Sequence, residues 1–156
     1  MLRKWLIAHD LDGSADEAVS VVAGLVPAGG VVVLCTVVPP LPLVISPDIM
    51  GLPDVNADLG ADIEGARAAL EERRAALAAR WPQLVVEARL LRGAPGPCLI
   101  DAAEREAVDA IAVGSRNRRG LSRALLGSVA GYVSQHARKP VLIVHPAEHR
   151  GIAAVM

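Results

Sequence analysis

Aromatic side chains are nearly missing from this chain. They make up 2% of its 156 residues, and phenylalanine is absent. That argues against a core built on ring packing and against a base-stacking platform for single-stranded nucleic acid. Charge of either sign is also not in surplus, with a formal net charge of −1. Bulk electrostatics therefore give no pull toward nucleic acid. Cysteine is scarce: Cys35 and Cys98 stand far apart, which argues against a disulfide framework or a metal site. Cys35 reads as a small core residue of a strand. Cys98 reads as a helix-start residue, where a thiol of lowered pKa is one alternative. His9, His136, His145 and His149 show no ligand spacing. No apolar run reaches the ~20 residues that a bilayer span needs. Met1-Leu2-Arg3-Lys4 runs straight into a strand-like segment, so no leader and no membrane partner are expected, and the default location is cytoplasmic. No Ser-His-Asp or Cys-His arrangement is readable and no carboxylate pair is poised for acid–base work. No catalytic residue and no metal ligand is therefore assigned.

What the chain has is aliphatic. Residues of hydrophobic type reach 53%, dominated by Val, Leu, Ile and Ala. β-branched runs separated by Ala-rich helical stretches predict α/β layering in one domain. Trp5–Ala8 reads as the first strand, ending at His9-Asp10. Ser14-Ala15-Asp16-Glu17 reads as a capping box opening a helix to about Val26, with Ala18, Val22 and Leu25 on one face. Val31–Val38 suits a central strand covered on both faces. The stretch 39–60 carries prolines 39, 40, 42, 47 and 53 and has no clear period. A loop of that length is either a cover for its own sheet or a surface for a partner. Ile63–Arg80 reads as a long helix supported by Glu71–Arg74 and by Asp62 or Glu64 with Arg67. Val85–Leu91 is a third strand. A helix follows with Pro97 at its first position and runs to about Ala107. Asp109–Val113 and Val141–Val144 complete the strands. This alternation predicts a parallel sheet with right-handed crossovers.

The richest segment follows the fourth strand. Val113-Gly114-Ser115-Arg116-Asn117-Arg118-Arg119-Gly120 leads to Leu125-Leu126-Gly127-Ser128-Val129 and then to a helix-like run, 128–137. A strand that breaks into a Gly- and Arg-rich loop and feeds a helix suits an anion, phosphate above all. The first N–H groups of a helix lack intrahelical partners, and the helix dipole favours negative charge there. Arg116, Arg118, Arg119 and Arg123 add charge-assisted donors. The spacing is G-x2-N-x9-G-S. No Gly-Lys-Ser/Thr follows, so it is not a Walker loop. It lies too late to be a dinucleotide fingerprint.

With that spacing, and with Ala110–Arg116, Gly127–Ala130 and Ala137–Val144 around it, the chain resembles the universal stress protein family. Family members of the ATP-binding type carry G-x2-G-x9-G-[S/T] here, and Asn117 replaces their second glycine. Asn tolerates positive φ, so the turn survives the change. The resemblance implies an open five-stranded parallel sheet of order 3-2-1-4-5 with helices on both faces. This is the Rossmann-like, adenine nucleotide alpha hydrolase-like fold, here spanning residues 1–146 with a tail 147–156. Sheets of this kind bind ligands beyond the carboxyl ends of their strands, where strand order reverses. The implied ligand is ATP, held by Asp10, Val37, Val113, Gly114, Arg116, Asn117, Gly127, Ser128 and Val129, with Mg²⁺ accompanying the phosphates. Asp10 would accept from a ribose hydroxyl or the adenine amine, and Asp12 competes for that role. Val37 would touch the adenine through its backbone, and Thr36 stands where many relatives have His. His9 lies close enough to touch the ligand. The resemblance also implies a homodimer paired through Val141–Val144. Two other functions stay open: a slow Mg-dependent ATP hydrolase, and a nucleotide-free dimeric interaction module.

Overall fold

The computed structural model describes residues 1–11, 13, 15–40, 55–115 and 127–145, the side chains of 55–61 excepted. Strands and helices alternate along the chain: β1 (Lys4–Ala8), α1 (Asp16–Leu25), β2 (Val31–Val38), α2 (Val55–Arg80), β3 (Val85–Arg92), α3 (Pro95–Arg105), β4 (Ala110–Gly114), α4 (Ser128–His136) and β5 (Val141–Val144). The strands form one sheet of order β3-β2-β1-β4-β5, with every neighbouring pair parallel. This is the sheet order the resemblance implied.

Alternation along each strand explains why the central strands are apolar throughout. Trp5 and Ile7 of β1, Val32 and Leu34 of β2, and Ala110 and Ala112 of β4 share one core with α1 and α2. Leu6, Val33, Cys35, Ile111 and Val113 face the other way and share a second core with α3 and α4. A sheet with both faces covered has no polar side for a strand to present. The edges differ. β5 is half-buried along its whole length, and β3 carries Glu87 and Arg89 among its apolar residues.

Helix boundaries depart from the sequence pattern in three places. α2 begins at Val55 rather than Ile63. Asn56, Asp58, Gly60 and Gly65 are weak helix formers and hide the start. The Pro-rich stretch is correspondingly shorter, and 41–54 lie outside the described residues, as does the tail 147–156. α1 buries Ala18, Val19, Val22 and Ala23, while Leu25 is 58% exposed. The buried stripe is centred between Ala18 and Ala23, and Leu25 lies at its margin. The N-cap of α1 is Ala15 without a side-chain cap bond. Ser14 of the expected capping box lies outside the described residues. α3 begins at Pro95, not Pro97, and ends at Arg105. Pro95 takes the first helical position, where its missing N–H costs nothing.

The amino ends of the strands are tied by charge. The Asp109 carboxylate accepts from the backbone N–H groups of Arg3 and Lys4, both at 2.8 Å. These bonds hold its carboxyl below the usual range. The Lys4 ammonium donates to Glu106 at 3.2 Å, and Arg89 Nε donates to Glu106 at 2.6 Å. Burial pushes the Glu106 carboxyl up, but the bonds from Arg89 and Lys4 outweigh it and hold it low.

Candidate functional site

The carboxyl ends open into a cleft of about 330 Å³. That lies in the range of small-molecule sites. It sits where β1 and β4 diverge, each leading to a helix on the opposite side of the sheet. Ala8, His9 and Asp10 come from the end of β1, with Ala15 from the start of α1. Cys35 and Val37 come from β2. Val113, Gly114 and Ser115 end β4, and Gly127, Ser128, Val129 and Ala130 open α4. Pro95 and Leu99 of α3 close the side. The expected residues Asp10, Val37, Val113, Gly114, Gly127, Ser128 and Val129 thus line one cleft. Arg116 and Asn117 lie outside the described residues, as do Arg118, Arg119, Arg123 and Asp12.

The cleft has an apolar wall and a polar floor. Ala8, Cys35, Val37, Leu99 and Val113 supply the wall. Burial pushes the Cys35 thiol up to about 12, with Glu106 adding to this and Arg89 opposing it. The thiol is therefore an uncharged part of the wall. The floor is the start of α4. Gly127 is its N-cap, with φ −56° and ψ 159° and no side-chain cap bond. The first helical bond runs from the Gly131 N–H to the Gly127 carbonyl at 2.9 Å. The N–H groups of Ser128, Val129 and Ala130 therefore lack partners inside the helix. Such a terminus receives anions. Among the described residues, no group of His, Cys, Asp and Glu is arranged to hold a metal ion.

Three polar arrangements escaped the sequence. Ser115, which lines the cleft, has its Oγ 2.6 Å from His145 Nδ1, a Ser–His contact that was not readable. Gly114 and Val144 are partners in the β4–β5 register, which places the next residues of both strands side by side. Only the register could have revealed this. The Thr36 hydroxyl donates to the His9 carbonyl at 2.7 Å and so fixes the end of β1. The His9 ring is buried, with Nε2 3.2 Å from Asp16 Oδ1. Cys98 lines no part of the cleft, and its Sγ lies 3.4 Å from the Arg92 carbonyl. Both cysteines are free thiols.

A parallel sheet whose order reverses at β1 and β4, with a cleft at the reversal, defines a doubly wound α/β protein. Within that class the chain belongs to the universal stress protein family, whose pattern matches residues 1–145. It is similar to a universal stress protein of Mycolicibacterium smegmatis, 34% identical over 99 residues. That match covers 64% of this chain and 33% of that protein. The matches span between about a third and a half of the curated relatives' length. Among solved structures, the hypothetical protein PH0823 is 28% identical, with a TM-score of 0.72 and coverage of 96% of this chain and 99% of that one. A universal stress protein in complex with cAMP is 22% identical, TM-score 0.59, over 94% of this chain and 98% of that one. The universal stress protein from Archaeoglobus fulgidus in complex with dAMP is 20% identical, TM-score 0.59, over 92% and 97%. Among the described residues, no helix is long and apolar enough to cross a membrane.

Proposed function

We propose that the chain binds an adenine nucleotide, ATP first among them, as a regulatory ligand in a stress response. The observation that carries this reading is the cleft itself. It combines an apolar wall for a base, Asp10 at one strand end, and the uncapped start of α4 after the G-x2-N-x9-G-S segment. The two relatives in complex with cAMP and dAMP support the adenine part. In this reading Asp10 accepts from the ribose or the adenine amine. Val37 and Val113 flank the base. Gly114, Arg116, Asn117, Gly127, Ser128 and Val129 hold the phosphates and sugar. Mg²⁺ would travel with the phosphates. The protein acts as a cytoplasmic homodimer paired through β5, which would cover that apolar edge. The domain ends near residue 146, and 147–156 form a tail.

Thermal unfolding tests it, with saturating ATP, ADP, AMP and cyclic AMP, each with and without Mg²⁺. A ligand at ~100 times its dissociation constant stabilises by about 2.7 kcal/mol, a rise of several degrees at this size. No rise with any nucleotide, in protein shown to be ligand-free, contradicts the reading and favours a nucleotide-free interaction module.

The Ser115–His145 pair favours a second reading, a slow Mg-dependent nucleotide hydrolase. A hydroxyl in hydrogen-bond reach of an imidazole is the arrangement that activates an oxygen nucleophile. Release of ADP and phosphate that requires Mg²⁺ and is lost in both Gly114→Val and His145→Ala would establish it. Tight ATP binding without release would leave the regulatory reading alone.

A further inference from the structure

The turn from β1 into α1 holds an imidazole whose residue has every polar atom engaged. The His9 N–H donates to the Cys35 carbonyl at 2.8 Å. Its carbonyl accepts from the Thr36 hydroxyl. Its Nδ1 accepts from the Leu11 backbone N–H at 3.1 Å. A backbone N–H only donates, so Nδ1 carries the lone pair and Nε2 carries the proton. That proton points at Asp16 Oδ1, 3.2 Å away. The same carboxylate accepts from Arg73 Nη1 of α2 at 3.0 and 3.2 Å.

Leu11 has φ +68°, a conformation that residues with a Cβ avoid. Strained backbone persists only where its surroundings hold it, and it gathers at ligand sites. Here the holding contact is the imidazole. Asp10 lies between the two residues so pinned, and it lines the cleft.

We propose that His9 is a positioning residue. Its imidazole, oriented by Asp16 and Arg73, locks the Leu11 turn and thereby fixes where the Asp10 carboxylate stands in the cleft. Ligand affinity then depends on Asp16 and on α2, neither of which need touch the ligand. This inference rests on the nucleotide reading of the cleft.

The test joins a spectroscopic readout to a double-mutant cycle on the full chain. Long-range ¹H–¹⁵N correlation spectra should show the His9 proton on Nε2, and the Leu11 amide should exchange slowly. A His9 proton on Nδ1 overturns the lock with no ligand present. Dissociation constants for ATP and AMP then report its consequence. His9→Leu keeps apolar volume but loses the acceptor, and should weaken binding by roughly 3- to 10-fold, the range of one hydrogen bond. His9→Asn keeps an acceptor near Nδ1 and should recover most of the loss. In an Asp10→Ala background, His9→Leu should add almost nothing, because residues acting as one unit do not add. Additive losses would mean that His9 touches the ligand itself, and would overturn the proposal. So would binding by His9→Leu equal to that of the unmodified protein, or better binding by His9→Leu than by His9→Asn. Failure of the nucleotide reading looks different: the unmodified protein binds neither nucleotide, while the ring keeps its Nε2 proton.

Discussion

The two ends of the sheet are built on opposite lines. At the amino end, backbone and charge are paired across the strands. Asp109 staples the Arg3 and Lys4 amides, its own N–H donates to the Lys4 carbonyl at 2.8 Å, and the Lys4 ammonium reaches Glu106. At the carboxyl end, α4 starts without a side-chain cap, Leu11 is held left-handed, and a cleft stays open between β1 and β4. One sheet thus separates two tasks. The strand starts carry paired charge and backbone, and the cleft lies at the other end, where sheets of this kind take their ligands.

The middle of the sheet sets the scale for breaking this contrast. Leu6 is fully buried between the two ends. Leu6→Ala should cost about 2–5 kcal/mol, read by urea or thermal unfolding, with both ends weakened together. Gly96→Ala comes next. A Cβ there would stand 2.7 Å from Tyr132 Cγ, so α3 and α4 must part. Overpacking of this kind costs about 1–3 kcal/mol. Because Pro95, Leu99 and the start of α4 line the cleft, nucleotide affinity should fall as well as the unfolding temperature.

A purely amino-end change should separate the two tasks. Asp109→Ala should lower the unfolding temperature and leave nucleotide affinity unchanged. The sign with pH follows from the depressed carboxyl of Asp109. Its contribution is fully present above the ordinary carboxylate value of about 4. It is lost as pH falls through the lower folded value, so the variant should show a flatter acid limb. A loss of nucleotide affinity would break the separation.

The smallest effect concerns the cleft wall. With its thiol pushed up to about 12 and 1% exposed, Cys35 should resist thiol reagents at about pH 8 in the folded protein. Half-buried Cys98 should react first, and both should react in denaturant. Fast labelling of Cys35 in the native state would contradict the neutral, closed wall.

Much of this was legible in the sequence. β2 and β5 have the bounds that their β-branched runs predict. Asp10, Gly114 and Gly127-Ser128 meet in one cleft because each ends or follows a strand at the same side of the sheet. What escaped depends on partners distant in sequence. The Ser115–His145 contact requires the β4–β5 register. The Asp16–Arg73 pair joins two helices across one face, and nothing in either helix announces it. The sequence marks Thr36 only as standing where many relatives have His, yet its hydroxyl secures the His9 carbonyl. The early start of α2 was hidden by residues whose local preferences oppose a helix.

Calorimetric titration of ATP into nucleotide-free protein, beside the Gly127→Val variant, tests the central claim most directly. Gly127 has φ −56°, so its backbone accepts a side chain and the added bulk acts on the cleft. The account predicts saturable binding by the unmodified chain and none by the variant, with both folded. Binding that survives in Gly127→Val, or no binding of ATP, ADP, AMP or cyclic AMP by the unmodified chain, would contradict it.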